Sequence, residues 1–62
     1  MNAEVCRAIL DAIRSGGGTA TLHCRDLGLD RGEYMAALSH LKEIGRIQRV
    51  GPATWKEVVR YG

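Results

Sequence analysis

A mostly α domain with a small C-terminal β-hairpin is the fold class that the sequence predicts. Three observations carry it. Apolar residues recur at helical spacing over residues 3–14 and 31–44. Glycines stand just past the end of each periodic stretch, at Gly16, Gly28 and Gly45. After Gly45 the pattern changes to two short β-prone runs around Gly51-Pro52.

In the first stretch Val5, Ile9 and Ile13 follow one another at i+4, with Cys6 and Leu10 beside them, which is one apolar stripe on a helix. Asn2 is its expected N-cap, Glu4 suits the positive end and Arg14 the negative end. Ser15-Gly16-Gly17-Gly18 then ends it. These glycines read as a loop, because a phosphate cradle needs a preceding strand and a Lys-Ser/Thr pair before a following helix.

Ala20, Cys24 and Leu27 recur at i, i+4 and i+7, so a short second helix is expected over 20–27, closed by Gly28. Whether Thr19 or Thr21 caps it is left open, because Thr19 to Leu22 could also form a brief third strand. Asp30 with Glu33 three residues on is the acidic variant of a capping box. It opens a third helix over 31–44 that is expected to bury Tyr34, Ala37, Leu38, Leu41 and Ile44. Residues 46–50 and 55–59 then pair across Gly51-Pro52-Ala53-Thr54 as the hairpin.

Sixty-two residues make one small domain, and 45% hydrophobic with 26% charged residues is the composition of a folded chain, so a multidomain enzyme is excluded. With three aromatics and no Phe, the core must be aliphatic. The net charge of +2 is unevenly spread: residues 1–44 hold five basic and six acidic side chains, whereas 45–62 hold Arg46, Arg49, Lys56 and Arg60 against Glu57. The basic part is the C-terminal third. No signal peptide and no membrane-length apolar run are visible, so a cytoplasmic chain with reduced Cys6 and Cys24 is expected.

No enzyme site is expected in so small a core. His23 beside Cys24 is the one tempting pair, but neighbours on a helix point about 100° apart. Cys6, His23, Cys24 and His40 are four potential zinc ligands that no Cys-x-x-Cys or His-x₃₋₅-His spacing organises, so neither a metal nor another cofactor is expected. His23 is expected to be partly exposed.

The stretch Asp26-Leu27-Gly28-Leu29-Asp30-Arg31-Gly32-Glu33-Tyr34, followed by Ala37-Leu38, Leu41 and Gly45-Arg46-Ile47, resembles the winged helix-turn-helix family over nearly the whole chain. The resemblance implies three helices plus a two-stranded wing, with Gly28 allowing the tight turn, Leu29 locking the helices together and Asp30 fixing the start of the third. The wing run Gly51-Pro52-Ala53-Thr54-Trp55 also resembles the Z-DNA-binding branch, where a Pro-rich turn precedes a Trp. Met35 and Ser39 stand where that branch places an Asn and a Tyr.

What the resemblance implies is a small DNA-binding transcriptional regulator, its third helix in the major groove of double-stranded DNA and its wing on the phosphates. Arg31, Met35, Ser39 and His40 are then the groove-reading residues, and Arg46, Gln48, Arg49 and Lys56 the backbone contacts. Trp55 is expected to close the wing over the helices. A competing reading makes Met35, Ala36, Ser39 and His40 one small docking face for a protein partner, as in an adaptor or inhibitor of mobile-element type. On the DNA-binding reading a homodimer through the first helix or Val58-Val59-Arg60-Tyr61 is expected, since one half-site gives limited affinity and specificity.

Overall fold

A computed structural model describes residues 2–59. The order of elements is α1 (Ala3–Ser15), β1 (Thr19–Thr21), α2 (Cys24–Leu27), α3 (Arg31–Glu43), β2 (Ile47–Gly51) and β3 (Thr54–Glu57). The three strands form one antiparallel sheet in the order β1-β3-β2. The domain is therefore α+β, with three helices against a three-stranded sheet.

Local chemistry sets the helix boundaries. The Asn2 side chain accepts from the Glu4 N–H at 2.9 Å, and the Asp30 carboxylate from the Glu33 N–H at 3.1 Å, so each cap satisfies a donor that the first turn leaves orphaned. Both caps were legible. At the other end of α3, Gly45 adopts φ +76°, its N–H bonds the Lys42 carbonyl, and the Arg46 N–H bonds the Leu41 carbonyl at 2.8 Å. This is a Schellman closure. Gly28, at φ +67°, closes α2 in the same manner with the Leu29 N–H on the Cys24 carbonyl.

Val5, Ile9 and Ile13 from α1, Leu22, Tyr34, Ala37, Leu38 and Leu41 from α3, and Ile47 from β2 make up the buried core. Leu29 packs half-buried against it, as its place between the two helices requires. Two expectations need correction. The second helix spans Cys24–Leu27 and not 20–27, because Thr19–Thr21 pairs with β3 and the chain reaches α2 only after Leu22 has entered the core. Ile44 is half exposed, at 50%. It is the C-cap of α3, so the chain has begun to turn away there, and Ile47 fills the buried position instead.

The hairpin is narrower than the 46–59 expected. Register places Gln48 opposite Lys56 and Arg49 opposite Trp55, with a bulge between Arg49 and Gly51. Its turn holds Ala53 at φ +55°, a conformation with a cost for a residue that has a Cβ. The Ala53 carbonyl accepts from the Leu22 N–H at 2.8 Å, which ties the turn to the end of β1. Val59 is exposed and Val58 half-buried; Arg60 and Tyr61, invoked for a dimer contact, lie outside the described residues.

Arg14 and Glu57 join the end of α1 to the last residue of β3. The Arg14 Nε and Nη2 both donate to the carboxylate, at 3.0 and 2.9 Å from Oε2. The hydrogen bonds from Arg14, and its charge together with that of Arg46, hold the Glu57 carboxyl below the ordinary value of 4.5. A carboxyl depressed in the folded state contributes stability above its unfolded pKa and loses it as pH falls through the folded one. Glu57→Gln is therefore expected to flatten the acid limb of a plot of melting temperature against pH below about 4.5. An unchanged acid limb would mean that the pair does not hold α1 to the sheet.

Candidate nucleic-acid interface

Side chains alternate across a sheet, so the register decides which hairpin residues can act together. Ala20, Ile47, Arg49, Trp55 and Glu57 share the face turned to the helices; Thr19, Thr21, Gln48, Thr54 and Lys56 share the other. An open groove of about 500 Å³ lies on the helix side, between the hairpin, the first residues of α2 and the N-terminal half of α3. Leu22, Tyr34, Leu38 and Trp55 supply its apolar and aromatic lining, and Arg25, Arg31 and Arg49 its charge. No carboxylate of the described residues lines it.

None of these three arginines is engaged by an acid, since the one salt bridge among the described residues is Arg14 to Glu57 on another side of the domain. Arg49 is anchored within the hairpin, its Nε donating to the Gly51 carbonyl at 3.3 Å, which leaves both terminal nitrogens to an outside acceptor. Arg31 is the first residue of α3, directly after the Asp30 cap. Burial pushes the Tyr34 phenol above 10, so it stays a neutral donor. Its hydroxyl has no partner among the described residues and is not sealed from solvent.

The residues expected at the interface divide among several surfaces. Arg31, Met35 and Arg49 meet in the groove, and Met35 is 53% exposed. Ser39 continues the strip that Arg31 and Met35 begin at i+4 intervals, also exposed. His40 instead borders a cleft with Ala3, Cys6 and Leu41, against α1. Ala36 borders a third depression, with Asn2, Asp30 and Glu33. Gln48 and Lys56 face away from the helices, as cross-strand partners. Arg46 lies beside Arg14 and Glu57, with Gly45 and Val58.

Arg25 and His23 line the groove but lie outside the set expected at the interface, as do the apolar and aromatic residues of its lining. Arg25 lies on a four-residue helix whose place beside the hairpin is set by the long-range pairing of β1 with β3, which local periodicity does not carry. His23, exposed just ahead of α2, makes no capping bond and borders the same groove. Trp55 does pack against the core, as expected of a residue closing the hairpin over the helices, yet it also lines the groove.

Among the described residues no three His, Cys, Asp or Glu side chains gather as a metal-binding group, and no helix is long and apolar enough to cross a membrane. The chain matches no family model, no curated protein and no solved structure. The groove itself combines three cations, unopposed by an acid among the described residues, with an apolar lining.

Proposed function

We propose that this chain is a winged helix-turn-helix domain that binds double-stranded DNA as a small regulator. The observation that carries the reading is the set of Arg25, Arg31 and Arg49, unpaired with any acid among the described residues, around a groove between α3 and the hairpin. A polyanion is the partner that such charges favour, because it releases condensed counterions as it binds. The order of elements and the sheet order β1-β3-β2 support α3 as the recognition helix and β2-β3 as the wing.

In this reading the exposed strip of Arg31, Met35 and Ser39 enters the major groove. Arg31 offers a fork to guanine or phosphate, Ser39 a hydroxyl to either, and Met35 an apolar contact to thymine methyls. Arg49 and Arg25 hold phosphates on either side. Gln48 and Lys56, on the outer face of the hairpin, are left as weaker, longer-range contributors. The protein-docking alternative asks Met35, Ala36, Ser39 and His40 to act as one face, and it is favoured less because His40 borders a separate cleft against α1.

Titration against mixed-sequence duplex DNA at low and moderate salt tests the reading. Affinity is expected to fall steeply as salt rises. Absent binding, or binding indifferent to salt, overturns it.

A further inference from the structure

A duplex presents phosphates to a wing and base edges to a helix, but it keeps its base faces stacked. The groove holds chemistry that such a partner does not use. Its lining is apolar and aromatic, its volume of about 500 Å³ is in the range that takes a small planar ligand, and Trp55 borders it. Trp55 is half-buried, packed against the core, and its indole N–H has no partner among the described residues. It is thus a braced aromatic wall. Arg25, Arg31 and Arg49 stand around it with no carboxylate of the described residues among them. An aromatic wall beside unpaired guanidinium groups is what binding of single-stranded nucleic acid requires, where a base stacks and its neighbouring phosphates find cations.

We propose that this groove takes one unstacked base of single-stranded DNA, as found at a frayed end or a gap, with the base ring against Trp55 and the flanking phosphates at Arg25, Arg31 and Arg49. The proposal rests on the DNA-binding reading above and adds to it a preference for sites where a base can leave the stack. Charge excludes a cationic occupant, and the aromatic lining is wasted on an inorganic anion. An acidic peptide shares the charge but lacks the planar ring that the wall is placed to meet.

Trp55 is the only tryptophan of the chain, so its emission reports on this wall alone. The test compares three probes at one salt concentration: an oligothymidylate of about eight nucleotides, within the usual range of single-strand site sizes, an abasic strand of equal length, and a blunt mixed duplex. The oligothymidylate is expected to quench Trp55, and the abasic strand, with the same phosphates, to bind about tenfold more weakly and leave the emission unchanged. Trp55→Leu, followed by anisotropy of labelled strands, is expected to bring the two single strands to equal affinity.

Equal binding and equal emission for base-bearing and abasic strands would overturn the proposal. So would binding of the duplex alone, which leaves the duplex reading intact. Failure of all three probes to bind overturns both. The comparison of strands on the unsubstituted chain decides the matter even if Trp55→Leu does not fold.

Discussion

Replacing Arg25, Arg31 and Arg49 together by alanine is expected to lower affinity for mixed duplex DNA by about 10²-fold at low salt, on the basis of about 1 kcal/mol for each exposed ionic contact. The more diagnostic readout is the salt dependence. Each phosphate neutralised on a duplex adds about 0.9 to the slope of log affinity against log salt, so the triple variant should flatten it by about 2.7. Arg49→Ala alone should remove about one unit, and do so equally on every sequence, whereas Arg31→Ala should also relax a base preference if Arg31 reaches a guanine edge. Folding should be little affected, because none of the three holds an acid and none is buried. Arg7→Ala serves as the control, since Arg7 is exposed on α1 and borders none of these surfaces. A triple variant that keeps the unsubstituted slope would show that the groove does not meet the phosphates.

The residues of this candidate interface were legible in the sequence to different degrees, for physical reasons that differ between helix and sheet. Helix α1 and the start of α3 rest on local rules, an i+4 stripe and an Asn or Asp cap, and both stand where those rules put them. Strand β1 does not rest on local rules. Its three residues are too few to show alternation, and they are held by β3, more than thirty residues further along, through Thr19↔Lys56 and Thr21↔Thr54. Ala20 therefore joined a helical pattern with Cys24 and Leu27 by coincidence of spacing. The basic hairpin illustrates a second limit. Arg46, Gln48, Arg49 and Lys56 are close in sequence, but period-two alternation sends Gln48 and Lys56 to one face and Arg49 to the other. Charge density along a chain does not measure charge density on a surface. Arg25 shows the reverse, a lone basic residue in an acidic neighbourhood that folding brings to the groove beside Arg31 and Arg49.

Ile9→Ala is expected to have the largest effect on stability of any single core truncation here, and Ile44→Ala almost none, although both isoleucines sit in apolar stripes of their helices. Ile9 is 0% exposed and lies mid-way along α1, between Val5 and Ile13, where the helix meets the rest of the core. Removing its branched side chain leaves a void that surrounding Leu and Val side chains cannot fill, at a cost of about 2–5 kcal/mol. A domain of this length holds only about 3–9 kcal/mol in total. The variant is thus expected to lose most of its folded population at 37 °C and to melt many degrees lower by circular dichroism, with DNA binding regained on mild cooling if the loss is one of folding. Ile44, half exposed at the C-cap of α3, forfeits few contacts on truncation and should stay within about 0.5 kcal/mol of the unsubstituted chain. Comparable costs at the two positions would place Ile44 in the core after all, and with it the Gly45 turn that delivers β2 and Arg49 to the groove. The pair of substitutions consequently tests the geometry on which the interface depends without using DNA at all.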